Sequence, residues 1–506
     1  MSLLSKNLTD DAIHDPMLAV RISGGLDICV PDDIALLTTY VLVEQEDWFE
    51  DEIRFVRRLI RPGDLIIDIG ANYGVYTITA AAAAGPQGRV WAFEPAARTA
   101  AFLRHSVARN ALANVEVVTA ALSDTQGSAS LAISANSELN ALTDVRDPAG
   151  VYEDIHTDTL DECMSRWAWS KIAFVKIDAE GHEERILQGA QKFFAANSPL
   201  VMYEIKAGDR INSELVGALQ AFGYESYRLI PGLGVLVPFD ATASVDPYQL
   251  NLFACRRDRA EALARIGLLA TSLESVAAPA GSFLRRRWLE CQVLWDQYCK
   301  GWPDVWRRMC ATPSGAKYGE ALDCYAAAHD ATLSVAQRAG LLMRALVQLE
   351  AVVRSPDSNF GRMLSFARVA AEAGNRGMAV TAYQRMLAAV QRGGVTFDGR
   401  EPFLPPPLSA QVDARDLGKC VIAGILEHVE RLTSHSSYFA GNSRQGLLED
   451  FAALGFPSPE MERRRQLVRL RCGQAVAPEF RSLLITASER NLNPDFWIRH
   501  IPAPAG

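Results

Sequence analysis

Three short stretches combine residue types and spacings that can do chemistry. The first is Asp68-Ile69-Gly70-Ala71-Asn72-Tyr73-Gly74, where an apolar run ends in a Gly-rich turn that opens a helical pattern. Such a turn lets a ligand approach the backbone closely, and the helix N-terminus offers N–H groups. The second is Glu94, 24 residues after Gly70, closing the next apolar run. A carboxylate there can accept both hydroxyl protons of a ribose. The third is Lys176-Ile177-Asp178-Ala179-Glu180-Gly181-His182-Glu183, with a base, three acids and an imidazole within eight residues. A nicotinamide dinucleotide site would carry G-x-G-x-x-G; here Asn72 replaces the second glycine and the spacing differs. An acid two residues before the first glycine suits a ligand with a cationic amino group and no pyrophosphate. S-adenosylmethionine fits that description.

The surrounding pattern predicts the elements that must position these residues. Short apolar runs over 65–69, 89–93, 115–119, 171–177 and 200–203 read as buried strands. Helical patterns over 74–84, 96–110, 183–196 and 213–222 lie between or after them. Alternation of this kind predicts an α/β fold with a mostly parallel sheet covered on both faces. Two late strands, 225–230 and 249–255, follow with no helix between them, which predicts an antiparallel strand at one end of the sheet. In open α/β sheets, ligands lie outside the carboxyl ends of the strands. Asp68, Glu94, Asp178 and Glu204 all fall at such ends and are expected to line one crevice.

Asp68–Gly74, Phe93-Glu94-Pro95 and the 176–183 stretch together resemble the FkbM-type methyltransferase family. Supporting pieces are Thr157-Asp158-Thr159-Leu160-Asp161-Glu162, Leu187-Gln188-Gly189-Ala190 and Glu204. The resemblance runs over about residues 25–255, and K-I-D-x-E-G-x-E is its most specific part. It implies an S-adenosylmethionine-dependent O-methyltransferase with a doubly wound Rossmann-like domain, acting on a hydroxyl of a sugar or a secondary metabolite. His182 stands at a freely varying position of that stretch, so the family gives it no role.

On this reading the amides of Gly70, Asn72 and Gly74 hold the methionine part, Asp68 orients it and Glu94 binds the ribose. Ser123 and Asp124 are candidates for the adenine edge. Methyl transfer is an in-line displacement, helped mostly by holding the acceptor oxygen close and aligned. An alkyl hydroxyl is a poor nucleophile, so a base or metal helps. Asp178 and Glu180, with Lys176 beneath them, are the candidate base or acceptor-binding pair. Glu204 and His182 are assigned to the substrate side; for His182 an exposed position at a helix N-terminus is the plainer account. Asp178, Glu180 and His182 also form a set that can bind a divalent ion, an alternative ranked behind the metal-free base. Glu180 and Glu183 read alternatively as acids that complement a helix N-terminus.

The chain has 506 residues, which suggests two to four domains. Residues 1–48 read as a lead-in, 49–255 as the methyltransferase domain, 256–400 as a helical domain and 401–506 as a helical region after the Pro-rich stretch 401–407. Gly340, Ala345 and Leu349 recur 34 residues later as Gly374, Ala379 and Tyr383, a faint tetratricopeptide-like period set against an ordinary bundle. Residues 1–255 carry a net charge of −16 and residues 256–506 a net of +7, which argues against nucleic acid as the substrate of the first half. The Trp-bearing stretch 288–310 reads as core rather than a sugar platform. The clusters Arg285–Arg287 and Arg463–Arg465 read as solvated faces, with anionic contact as the alternative. Nine cysteines without any C-x-x-C pair give no support to a zinc ribbon and suit reduced thiols in a cytoplasm. No run is long and apolar enough to span a bilayer, and residues 1–15 do not resemble a secretory signal. A rival reading makes the chain an interaction protein, with a partner-binding helical half and a cofactor-sensing or vestigial first half.

Overall fold

The computed structural model describes residues 16–134, 136–143, 146–207, 210–212, 214–285, 302–393, 401–407, 417–440, 444–455, 457–478 and 480. The chain packs as two compact units. One takes the described residues of Met1–Phe49, Val56–Phe222 and Arg469–Gly506; the other takes Glu50–Phe55 and Gly223–Val468.

Along the chain, β1 (Met17–Ile22) and β2 (Leu26–Pro31) form a hairpin, followed by α1 (Leu37–Gln45) and α2 (Asp51–Leu59). Then come β3 (Leu65–Ile69), α3 (Val75–Ala84), β4 (Arg89–Phe93), α4 (Ala97–Arg109) and β5 (Val115–Val118). An inserted lobe holds β6 (Ala121–Leu122), β7 (Gly127–Ile133), the 3₁₀ turn Ser137–Leu139, β8 (Ala141–Thr143) and β9 (Val151–Asp158). After α5 (Leu160–Trp167) come β10 (Phe174–Ile177), α6 (Glu183–Gln188), α7 (Gln191–Ala196), β11 (Leu200–Glu204), the short ladder β12 (Lys206–Ala207) and β13 (Arg210–Ile211), and α8 (Glu214–Ala221).

Five parallel strands of the first unit lie in the order β11-β10-β3-β4-β5. This is the expected α/β, Rossmann-like arrangement. Ile66, Ile67, Val90, Val175 and Val201 are fully buried, so the central strands are apolar on both faces, as a sheet covered by helices requires. In register, Lys176 lies beside Asp68, and Asp68 beside Ala92.

The sequence pattern missed the inserted lobe. Its four strands pair in the order β6-β9-β7-β8 around a small cluster of Ala121, Leu131 and Ile155. They alternate weakly and are only half-buried, so no clean period marks them. The expected single helix over 183–196 is two helices. The Asp161 carboxylate accepts from the amides of Lys192 and Phe193 and so starts α7 afresh, while the Asp161 amide donates to the Gly189 carbonyl.

In the second unit, β14 (Glu225–Ile230) pairs antiparallel with both β15 (Val235–Pro238) and β16 (Asn251–Cys255). The antiparallel end pair was expected; β15 was not. The helix expected over 256–276 stops at Arg265, because α9 spans Arg257–Arg265 and the apolar residues after it turn to β15. The Leu236 amide donates to the Leu268 carbonyl, and Ala270 donates to Leu236. Helices Pro313–Ala328, Val335–Val353, Phe360–Glu372 and Arg376–Gln391 follow and share one core with Tyr318, Leu342, Leu349, Ala367 and Tyr383. Ser334 and Gln337 form a capping box at the start of the second of them. In the 34-residue period, Ala345, Leu349, Ala379 and Tyr383 are all fully buried. Gly340, however, sits inside a helix, whereas Gly374 occupies a left-handed turn between helices.

The Pro-rich segment 401–407 is no free linker. Arg362 grips both Glu401 carboxylate oxygens at 2.6 and 2.8 Å, Tyr318 donates to the Pro402 carbonyl, and Arg368 donates to Pro405. Trp306 stacks on Phe283 at 5.5 Å, in keeping with a core role, while Trp288 and Trp295 lie outside the described residues, as do Arg286, Arg287 and residues 1–15. Arg464 and Arg465 are tied to Glu430, Glu460, Glu462 and Glu449. That is neither a solvated face nor a free anion-binding cluster.

Candidate active site

The turn after β3 is built under tight steric limits. A Cβ on Gly70 would lie 1.7 Å from the Asp178 carbonyl oxygen, and a Cβ on Gly74 2.2 Å from Leu103; both residues have positive φ. Only glycine fits where two strand ends and a helix approach this closely. The turn's amides are already engaged. Gly70 and Ala71 donate to the Phe93 carbonyl, Gly74 to Ala71, and Asn72 to Glu94 at 2.9 Å. These glycines therefore shape the crevice, and their N–H groups point into the fold instead of outward as the sequence suggested.

Asp68 is buried at the end of β3. Its Oδ2 accepts from the Thr77 hydroxyl at 2.6 Å, while its buried Oδ1 has no hydrogen-bond partner among the described residues. Burial raises its carboxyl, opposed chiefly by the Lys176 charge. An orphaned buried carboxylate oxygen is costly unless a donor reaches it. Glu94 is also buried; its two oxygens accept from the amides of Asn72 and Ala96, each at 2.9 Å. Burial, only partly offset by those two amides, pushes Glu94 up to about 7. Each oxygen keeps a second lone pair for a ligand donor.

The loop after β10 brings the second group together. Lys176, buried, donates to Asp178 at 2.7 Å and lies 5.2 Å from the centre of the Tyr76 ring. Glu180 and Gly181 both take positive φ, which doubles the chain back. Glu183 does not act at the helix N-terminus alone. Its Oε1 accepts from the amides of Ala179 and Gly181 at 3.0 and 3.1 Å and so fastens the loop. One carboxylate oxygen from each of Asp178, Glu180 and Glu204 lies within 4.8 Å of the others. Glu180 is exposed, yet the protein packed around its carboxyl and the charges of Asp178, Glu183 and Glu138 push it up to about 8.

His182 stands apart from this trio, so the set Asp178, Glu180 and His182 is not assembled. Its Nε2 lies 2.8 Å from the Ser123 hydroxyl, which also bonds Asp124 at 2.8 Å. His182 thus belongs with Ser123 and Asp124, and Glu204 takes the place beside the two acids.

One residue escaped the sequence reading. Glu138, on the 3₁₀ turn of the inserted lobe, bonds the Thr38 amide and the Asn72 side chain, and burial pushes it up to about 7. No motif or period marks it; only the folding back of the lobe brings it here.

Among curated proteins nothing matches the chain. Several solved structures are similar to parts of it. A methyltransferase FkbM from Methylobacillus flagellatus KT is 15% identical with a TM-score of 0.26, over 40% of this chain and 50% of that one. The match therefore spans half the length of that relative. A SAM-dependent O-methyltransferase from Thermotoga maritima is 15% identical with a TM-score of 0.25, over 48% and 78%. A SAM-dependent methyltransferase from Aquifex aeolicus is 14% identical with a TM-score of 0.24, over 42% and 91%. The family model of the methyltransferase FkbM domain matches residues 68–226, a span that begins at Asp68 and includes the Glu94, Ser123, Lys176–Glu183 and Glu204 positions. The chain thus carries, over residues 68–226, a domain of the FkbM methyltransferase family.

Proposed function

We propose that the protein is an S-adenosylmethionine-dependent O-methyltransferase acting on a hydroxyl of a sugar in a glycan or of a secondary metabolite. The observation that carries this reading is the pairing of two unlike acidic groups at neighbouring strand ends. Asp68, with one orphaned oxygen, and Glu94, with spare lone pairs, suit a cationic amino group and a pair of ribose hydroxyls. Asp178, Glu180 and Glu204 stand together at the ends of β10 and β11 and suit a hydroxylated acceptor. S-adenosylmethionine supplies the transferable methyl group.

In this reading Ser123, Asp124 and His182 line the adenine edge. Glu180 or Asp178 takes the acceptor hydroxyl proton as the new O–C bond forms and the S–C bond breaks. A base near neutral pKa serves this step better than an ordinary carboxylate. Lys176 holds Asp178 in place. The carboxylates act without a metal, although the spacing of Asp178, Glu180 and Glu204 also suits a divalent cation.

We also propose that residues 49–255 form the functional methyltransferase domain and that the helical remainder presents the acceptor or a partner protein. A cytoplasmic location is supported by the seven described cysteines, all free thiols. No helix among the described residues is long and apolar enough to cross a membrane.

Calorimetric titration of the purified chain with S-adenosylhomocysteine and, separately, NAD tests the cofactor. Binding of the first alone is expected. Methyl transfer from labelled S-adenosylmethionine to a panel of glycosides and hydroxylated metabolites then tests the reaction. Binding of neither cofactor would favour the interaction-protein reading.

A further inference from the structure

The 3₁₀ turn Ser137–Leu139 performs two tasks at once. Helix α1 has no side-chain cap of its own. Instead the Asn136 side chain accepts from the Leu37 amide at 2.8 Å, and Glu138 accepts from the Thr38 amide. The lobe thereby caps a helix about a hundred residues earlier in the chain. The same turn also docks on the β3–α3 turn, where the Ser137 hydroxyl donates to Asn72 Oδ1 at 2.9 Å. Asn72 is the residue whose amide holds Glu94.

Capping accounts for only part of the Glu138 carboxyl. Its Oε1 is buried and has no hydrogen-bond partner among the described residues. Helix capping does not require an orphaned oxygen, which is costly to bury. The turn that carries Glu138 is bonded to Asn72, two residues from Gly70, whose Cα packs against the Asp178 carbonyl, so Glu138 lies on the side of the acidic group at the end of β10; it feels the Asp178 charge, and Glu180 feels that of Glu138.

We propose that Glu138 is a substrate-contacting residue: from the inserted lobe its carboxylate faces the transferable methyl group and accepts a hydrogen bond from the acceptor. This rests on the methyltransferase reading above. It also narrows the acceptor class. Four acids, Glu138, Asp178, Glu180 and Glu204, outnumber the cation Lys176, itself paired with Asp178, and disfavour phosphate or carboxylate beside the reacting hydroxyl. Neutral polyols or amino-bearing acceptors fit.

Sinefungin tests this without an identified acceptor, because it carries an ammonium group where the methyl sits, whereas S-adenosylhomocysteine carries nothing there. The full-length chain is titrated with each ligand, and the ratio of the two affinities is the readout. In Glu138→Gln the S-adenosylhomocysteine affinity is expected to hold while the preference for sinefungin falls roughly three- to tenfold, the effect of losing one nearby opposite charge. An unchanged preference overturns the proposal. Equal weakening of both ligands also overturns it, because Glu138 would then only brace Asn72. Should the Gln variant fail to fold, Glu138→Asp withdraws the carboxylate by one methylene; its preference is expected to fall below wild type, and a wild-type value overturns the proposal. Failure of the wild-type chain to bind either ligand would instead remove the methyltransferase reading, and this proposal with it.

Discussion

The backbone amide of Asn72, held at positive φ, donates to a Glu94 carboxylate oxygen at 2.9 Å, so the residue expected to hold the ribose also clamps the turn beside it. Replacing Glu94 by Ala removes two hydrogen bonds to backbone amides along with any bond to ligand hydroxyls. S-adenosylhomocysteine affinity is expected to drop at least about tenfold. Calorimetry giving wild-type affinity would remove the ribose assignment.

Asp178→Asn should preserve cofactor binding and slow methyl transfer by roughly 10²- to 10⁴-fold, the usual range for losing a positioned base. Single-turnover transfer of labelled methyl to the best glycoside of the panel measures this. Equal turnover would exclude Asp178 as the base.

Glu180, pushed up to about 8, is mostly protonated at neutral pH. If it is the base, transfer rises as pH goes from about 6 to above 8, following the deprotonated fraction. Glu180→Gln should abolish that rise along with most of the rate. A flat wild-type profile would exclude Glu180 as the base.

Stability carries the opposite pH signature. Glu94, buried and raised to about 7 from an ordinary value of 4.5, keeps its proton in the folded chain at pH values where the unfolded chain has released it. Between those values the native state binds more protons, so stability falls as pH rises, by on the order of 3 kcal/mol for this group. Denaturant melts of the ligand-free protein at pH 5 and pH 8 should show this. Glu94→Gln should flatten the difference, and an unaltered pH dependence in that variant would count against a buried, protonated Glu94.

Glu401→Ala leaves the Arg362 guanidinium, whose side chain is 4% exposed, without its bidentate partner. An unpaired buried charge costs about 3–5 kcal/mol. Urea melts should show a loss of that order in the helical unit; a loss below about 1 kcal/mol would mean that the Pro-rich segment is not fastened there.

The alternating apolar runs determined the parallel strands, and the tertiary structure decided their order in the sheet. Because ligands gather at carboxyl ends of such strands, Asp68, Glu94, Asp178 and Glu204 could be placed at strand ends from the sequence alone. That inference works because a strand buried on both faces must be apolar along its length, which leaves its polar end residue conspicuous. Local motifs also announced the turn at Gly70–Gly74, but not its purpose. The demand for glycine comes from the Asp178 carbonyl and Leu103, which chain folding brings from 108 and 29 residues away. His182 was grouped with Asp178 and Glu180 because they are neighbours in sequence; the left-handed pair Glu180–Gly181 precedes it, and the imidazole meets Ser123 instead. Glu138 was illegible because a lone acid in a weakly alternating, half-exposed lobe has no periodic signature. Its burial, its raised carboxyl and its neighbours Thr38 and Asn72 exist only once three distant segments pack together, and that long-range packing is what the tertiary structure alone decided.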